Sequence, residues 1–174
     1  MRERVGQQTH YVQSLKLNPF ISMILGMAVS YGTSSGLTKL DNKFNISGLN
    51  PPKVNPKLIE TKNIINEVEM GEITLENNFQ KGNYGEMKMD CYFDELGYER
   101  ISLDQVTDLN ASMQKGIDGV YYNPNGKPPY IIAEAKYGTS TLGNTLDGKQ
   151  MSNSWITGSN RLENAVGKTM ADNI

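Results

Sequence analysis

The segment PYIIAEAKY, residues 129–137, constrains the fold more than any other part of the chain. Its apolar run follows the turn-forming sequence PNGKPP, a combination typical of a buried strand. Side chains alternate across a strand, so Glu134 and Lys136 share one face. Ala133 and Ala135 lie on the other face, where their small side chains leave room for a helix. The sequence therefore predicts an apolar strand from which a carboxylate and an ammonium group emerge together.

The order of elements around this strand predicts an α/β or α+β fold. Residues 82–97 carry apolar side chains at helical spacing and end at a glycine, which indicates a helix. Residues 98–103 and 116–123 suit strands, and the PNGKPP turn makes the second of them antiparallel to PYIIAEAKY. A last helix is expected over residues 147–167, interrupted at Gly158. The predicted architecture is a small mixed β-sheet flanked by helices.

The N-terminal part of the chain differs in its residue composition. Residues 20–31 are the most apolar run, but a membrane-spanning helix needs about 20 residues, so no membrane span is expected. A long polar stretch precedes this run, which argues against a signal peptide and favours a short amphipathic helix beginning at Pro19. Residues 32–58 are rich in Gly, Ser, Asn and Pro, and are expected to form an extended connector.

Composition narrows the chemistry. The chain of 174 residues has 17 basic and 19 acidic side chains, which argues against a nucleic-acid binder held by bulk positive charge. One cysteine and one histidine exclude a disulfide framework within the chain and argue against a cysteine- or histidine-based metal cluster. Residues 81–174 contain 9 basic and 12 acidic side chains, so the acidity lies in this half. A site for a hard cation with oxygen ligands stays open.

Two further acids are expected beside Glu134. Asp118 lies in the strand before the turn, and the hairpin can place it opposite Glu134 on the same face. Glu86 lies in the preceding helix. Three carboxylates around one point would hold Mg²⁺ or Mn²⁺, which would polarise a phosphoryl oxygen and help to ionise a water. Lys136 would orient that water or stabilise charge in the transition state.

Each of these residues also has a structural interpretation. Glu134 and Lys136 could form an ordinary ion pair on an edge strand, although their apolar neighbours favour a central strand. Asp118 could be a turn residue between two glycines, and Glu86 could be an acid in the first turn of a helix. Other residues are given structural roles: Trp155 and Cys91 are expected to be packed, and Asp90, Asp94, Glu95 and Glu99 to form a solvated acidic face or a docking surface.

The ordered set of Glu86, Asp118 and Glu134-x-Lys136 resembles the PD-(D/E)XK nuclease superfamily, with IDG in place of the usual PD. A narrower resemblance covers residues 80–168. There GNYGEMKMD, GIDGVYYNPNG, IIAEAKYG and KQMSNSWI are similar in order to the C-terminal nuclease domain of bacterial polymorphic toxins. These include LXG-type and contact-dependent-inhibition toxins.

The resemblance implies a restriction-endonuclease-like core in residues 81–174, with its last strand missing or replaced, after a pretoxin-like segment and connector in residues 1–80. It implies a divalent-metal-dependent DNase that uses Mg²⁺ or Mn²⁺, with Zn²⁺ as an alternative. It also implies that Gln150 reaches the scissile phosphate or a metal-bound water. Lys149 and Ser152 are weaker candidates for phosphate contact.

The same resemblance implies partners and a place of action. The toxin would be secreted by a producer cell, carried by a parent protein with an N-terminal secretion domain. It would cleave DNA in the cytoplasm of a competing bacterium, and a cognate immunity protein would neutralise it. Two alternatives stay open: an RNase of the same fold, such as a tRNase, and a non-catalytic interaction module.

Overall fold

The structure, a computed structural model, describes His10–Tyr11 and residues 55–174. Residues 57–174 belong to one compact unit. The boundary expected at residue 80 lies inside this unit, and the assignment of a pretoxin-like segment before it stays a prediction. The short amphipathic helix expected to begin at Pro19, and all of the connector up to residue 54, lie outside the described residues.

Two helices open the continuous described region. Helix α1 spans Pro56–Glu69 and helix α2 spans Asn78–Glu95. The side chain of Asn77 caps α2 by accepting a hydrogen bond from the Gln80 backbone N–H at 2.9 Å. Gly97 has a φ of 78° just after α2, a conformation that glycine adopts easily, so the expected glycine stop is confirmed.

A four-stranded sheet packs against α2. Its strands are β1 (His10–Tyr11), β2 (Glu99–Arg100), β3 (Gly119–Tyr122) and β4 (Tyr130–Ala133), in the spatial order β1-β4-β3-β2. Strands β3 and β4 are antiparallel, as the turn between them predicted, whereas β1 is parallel to β4. Strand β2 is shorter than expected, because the chain leaves the sheet after Arg100 and enters a long loop.

The C-terminal region corrects the prediction of one helix from residue 147. A small hairpin occupies its start, and short helices follow it. Its elements are β5 (Asn144–Thr145), β6 (Gly148–Lys149), α3 (Asn153–Thr157), a 3₁₀ turn (Gly158–Asn160), α4 (Arg161–Val166) and α5 (Lys168–Ala171). The helix cannot begin earlier because Gly148 and Met151 have φ values of 110° and 66°. The interruption expected at Gly158 is confirmed.

The sheet separates two layers of helices, and the core lies on both of its faces. Ile131 and Tyr121 face α2, where they pack with Phe93. Ile132 and Val120 face the C-terminal helices, where they pack with the side chains of Met151, Trp155 and Ile156. The mixed α+β architecture is therefore confirmed. None of the helices in the described part of the chain is long and apolar enough to cross a bilayer.

Candidate active site

The antiparallel register of β3 and β4 brings Asp118 and Glu134 together. Gly119 pairs with Ala133, so the residues just outside the strands face each other in the next position. Asp118 Oδ2 accepts a hydrogen bond from the Ala135 backbone N–H at 2.9 Å. The expectation that the hairpin places Asp118 opposite Glu134 is confirmed, and the side chain of Asp118 helps to hold the end of the hairpin together.

Glu134 is buried and receives two side-chain donors. Its side chain is 2% exposed, and Oε1 accepts from Lys136 Nζ at 2.6 Å and from Gln150 Nε2 at 3.0 Å. Gln150 is itself held, because its Oε1 accepts from the Gly143 backbone N–H at 2.7 Å. Strand β4 lies between β1 and β3, so the ion pair of Glu134 and Lys136 does not belong to an edge strand.

The second oxygen of Glu134 is unusual. Oε2 is buried and has no hydrogen-bond partner among the residues that the structure describes. Burial raises the pKa of Glu134, and the hydrogen bond and charge of Lys136 oppose that rise. A buried carboxylate oxygen without a donor is costly unless a ligand, a water or an ion meets it. The structure thus leaves one strong acceptor available beside a fixed ammonium group.

Glu86 approaches the same region from helix α2. The close packing expected behind the strand is present, because a Cβ on Gly85 would lie 3.6 Å from the Ala135 Cβ. Burial, followed by the charge of Asp118, raises the pKa of Glu86 to about 8. Burial, followed by the charge of Glu134, raises the pKa of Asp118 to about 7. The three predicted acids are therefore close enough to oppose one another's ionisation.

Charge and ligand geometry give different answers about a metal. A divalent cation would relieve the mutual repulsion of the three carboxylates, and oxygen is the donor that Mg²⁺ and Mn²⁺ prefer. Across residues 55–174, however, no group of three or more acidic, histidine or cysteine side chains is arranged as a ready ligand set. The three carboxylates therefore suit a hard cation in chemistry and charge. In this structure, however, their oxygens do not already converge on one point.

A small pocket of about 70 Å³ borders the site. Glu86 and Asp118 lie on its wall with residues of the loop before β3 and of helix α4, among them Val106, Lys115, Asn164 and Ala165. A space of this size holds several water molecules or a hydrated ion. The pocket therefore connects two of the predicted carboxylates to solvent.

The two weaker candidates for phosphate contact are Ser152 and Lys149. Ser152 caps α3, since its Oγ accepts a hydrogen bond from the Trp155 backbone N–H at 3.3 Å. Lys149 is exposed on β6, directly before Gln150. A phosphate contact by either residue stays a prediction. Trp155 is 2% exposed and the Arg161 guanidinium lies 4.9 Å from the centre of its ring, so the expected packing role is confirmed.

Sequence reasoning missed a second buried ion pair. Asp90 was expected on a solvated acidic face, and this is wrong, because the residue is 4% exposed. Asp90 Oδ1 accepts from Arg100 Nη1 at 2.5 Å and from the Tyr121 hydroxyl at 2.5 Å. One signal could have revealed it: Asp90 lies four residues after Glu86, one turn along the same side of α2. The side chains of Asp94 and Glu95, at the end of α2, are exposed as expected.

Comparisons with known proteins identify no relative of this chain. No family model matches the chain, and no curated protein or solved structure matches it either. The functional interpretation therefore rests on the residues of the site and their contacts.

Proposed function

We propose that the chain is a divalent-metal-dependent nuclease that hydrolyses phosphodiester bonds in DNA. The observation that carries this proposal is the buried Glu134 carboxylate. One of its oxygens is bound by Lys136 and Gln150, while the other has no partner among the described residues. Asp118 lies across the hairpin from it. Carboxylates that can hold a cation, with a lysine beside them, are groups that metal-assisted hydrolysis of a phosphodiester can use.

In the proposed mechanism Glu86, Asp118 and Glu134 would hold the cation. When bound, Mg²⁺ or Mn²⁺ supplies a Lewis acid that polarises a phosphoryl oxygen and lowers the pKa of a water. Lys136 Nζ, anchored 2.6 Å from Glu134 Oε1, can donate to the attacking water or to a phosphate oxygen. Gln150 holds the orientation of the Glu134 carboxylate through its 3.0 Å hydrogen bond.

The charge of the chain is compatible with a polyanionic substrate if bound cations offset the three carboxylates of the site. The surplus of acids in residues 81–174, 12 against 9 basic side chains, equals the number of proposed metal ligands. Bound cations would offset those carboxylates, and the remaining charges balance. We therefore expect weak DNA binding without metal and strong dependence on a divalent cation.

The polymorphic-toxin resemblance supports the choice of DNA and the biological setting. On that basis the nuclease is proposed to be secreted, to act in the cytoplasm of a competing bacterium, and to be neutralised by an immunity protein. A restriction-endonuclease-like core is proposed on the same basis. RNA is the alternative substrate and a non-catalytic module is the alternative role, and the experiment below includes both as outcomes.

The test is cleavage of supercoiled plasmid and of total RNA with Mg²⁺ or Mn²⁺, with and without EDTA. Two variants remove the proposed machinery, Glu134→Gln and Lys136→Ala. Their matched controls, Glu163→Gln and Lys168→Ala, change the same residue types at exposed positions on α4 and α5.

We expect metal-dependent plasmid cleavage that the first two variants lose and the controls keep. Cleavage of RNA with intact plasmid would reassign the substrate. Wild-type activity in Glu134→Gln would show that the site is wrong. Absence of both cleavage and metal binding in calorimetry would favour the non-catalytic module.

A further inference from the structure

Arg100 makes an unusual set of contacts for a residue near the edge of a sheet. It pairs with Tyr121 across β2 and β3, and its side chain is 12% exposed. Nη1 donates to Asp90 Oδ1, and Nη2 donates to the backbone carbonyls of Asp104 and, at 2.8 Å, of Asp118. One guanidinium thus joins helix α2 to two distant points of the main chain.

Those two points are the ends of a single loop. Residues 104–118 contain no helix or strand, and Arg100 Nη2 binds the carbonyl at each end. Without such a contact, the far end of the loop would be held by strand β3 and by the Asp118 side chain alone. The middle of the loop has its own anchor, because Asn83 Nδ2 donates to the carbonyls of Leu109 and Ala111, each at 2.8 Å.

The loop supplies functional groups at its far end. Asp118 is its last residue, and Lys115, Gly116 and Ile117 line the pocket that Glu86 also borders. The carbonyl that Arg100 binds belongs to the same residue whose carboxylate accepts the Ala135 N–H. Asp118 is therefore held at its main chain by Arg100 and at its side chain by the end of β4.

We propose that Arg100 is a positioning residue, which closes the loop 104–118 and thereby sets the place of the Asp118 carboxylate for the reaction. The proposal rests on the proposed nuclease activity. Arg100 acts through the main chain of Asp118 and through the loop, and it is not assigned a contact with substrate.

Arginine suits this position better than lysine does. Its planar group presents five donors in a fixed fork, which lets one side chain bind a carboxylate and two carbonyls at the same time. An ammonium group is a compact point charge, and it could neutralise Asp90 without reaching both ends of the loop. Asp90 is fixed in turn by the Tyr121 hydroxyl at 2.5 Å, so the fork has a rigid support.

The test uses Arg100→Lys, which keeps the charge beside Asp90, so that the fold survives. Phe93→Leu is the control for a general loss of stability, because Phe93 is buried in a cluster between α2 and the sheet that contains no residue of loop 104–118, and it does not line the pocket. The first measurement is the rate of tryptic cleavage after Lys115, an exposed residue of the loop, relative to cleavage after the exposed Lys149. The second is plasmid cleavage with Mn²⁺, analysed as kcat and KM.

We expect Arg100→Lys to raise the relative cleavage after Lys115 about tenfold, and to lower kcat by about 10- to 100-fold. KM for DNA should change by less than about threefold, because Arg100 does not bind substrate. Phe93→Leu should lower the melting temperature and leave both quantities near the wild-type values at a temperature well below unfolding.

The two measurements separate the possible failures. Unchanged cleavage after Lys115 in Arg100→Lys overturns the loop closure, whether or not the protein is a nuclease. A loosened loop with an unchanged kcat overturns the positioning role. If wild-type protein cleaves neither DNA nor RNA, the nuclease proposal fails and the positioning role fails with it, while the proteolysis still decides whether Arg100 closes the loop.

Discussion

Two buried acid–base pairs in this protein look alike and differ in what surrounds them. The Asp90 and Glu134 side chains are each 2% exposed, and each lies 2.5 or 2.6 Å from its cationic partner. Each also has a second oxygen without a hydrogen-bond partner in the described residues. Arg100, however, continues into two backbone carbonyls, whereas Lys136 lies at the end of a strand, near both Glu134 and Asp118.

The difference teaches how to separate a structural ion pair from a functional one. Burial and a short contact do not distinguish them, because both pairs have both features. The two pairs are distinguished by the other groups that surround the cationic side chain. A cation that binds several parts of the main chain fixes the fold, and one whose neighbours are repelling carboxylates is poised to meet a ligand. The two pairs should therefore respond in opposite ways to substitution.

The largest effect is expected for Glu134→Gln. Nuclease activity should fall on the order of 10³-fold, because the substitution removes the charge that would hold the cation. The melting temperature should stay the same or rise, since the amide keeps an oxygen for Lys136 and abolishes a costly buried charge. Plasmid cleavage and thermal unfolding measure the two quantities. A marked loss of stability would place Glu134 in the structural class with Asp90.

Asp90→Asn should have the opposite result. It leaves the Arg100 guanidinium buried without a carboxylate, and unfolding should become easier by about 3 kcal/mol. Urea denaturation measures this change. The matched control is Asp94→Asn, one turn along α2, whose side chain is 46% exposed and lies 3.5 Å from Lys62. That surface pair should contribute about 0–1 kcal/mol, and an equal effect of the two variants would contradict the comparison.

The pH dependence of stability should come from the site carboxylates. Folding raises the pKa of Asp118 from 3.8 to about 7 and that of Glu86 from 4.5 to about 8. The folded protein keeps these protons at pH values where the unfolded chain has released them. This contribution to stability is thus full below about pH 4 and is lost as pH rises to about 8.

Metal-free protein should accordingly lose roughly 5 kcal/mol of stability between about pH 5.5 and about pH 8, with the larger share from Glu86. Urea titrations at the two pH values measure the change. Mn²⁺ should remove most of the slope, because a cation stabilises the ionised carboxylates. The double variant Glu86→Gln, Asp118→Asn should also lack it, and a slope that survives in that variant would assign the pH dependence to other groups.

The smallest effect is expected for Gln150→Ala. The variant loses the 3.0 Å hydrogen bond to Glu134 and the acceptor for the Gly143 N–H. Because Lys136 still holds the carboxylate, kcat should fall only about tenfold and the fold should persist. Steady-state plasmid cleavage measures it. A loss as large as that of Glu134→Gln would give Gln150 a direct part in the chemistry.

The predictable parts of the fold are those that local sequence determines. Helix α2 follows from apolar spacing and a terminal glycine, and the pairing of Asp118 with Glu134 follows from a tight turn between two strands. The parallel pairing of β1 with β4 joins residues far apart in the sequence, so no local pattern announces it. The β5–β6 hairpin depends on positive φ values, which the surrounding polar residues do not reveal.

The residues of the candidate site also divide into those that the sequence predicts and those that it does not. Glu134 and Lys136 stand out because charges interrupt an apolar strand, and alternation places them on one face. Asp90 and Arg100 were not recognised, because the spacing that places Asp90 one turn after Glu86 was not weighed against the other acids of α2. The partners of Arg100 lie at residues 90, 104 and 118, a spacing set by the path of a loop and by no periodic element.

The short strand β1 has a practical consequence for any fragment of this protein. It covers the outer side of β4, where His10 and Tyr11 pair with Ile131 and Ile132. A fragment that begins at α1 would turn β4 from an inner strand into an open edge, and its free backbone groups would be a template for strands of other molecules. Such a fragment should self-associate as its concentration rises. Its inactivity would then report aggregation beside Glu134 and would say nothing about the chemistry of the site.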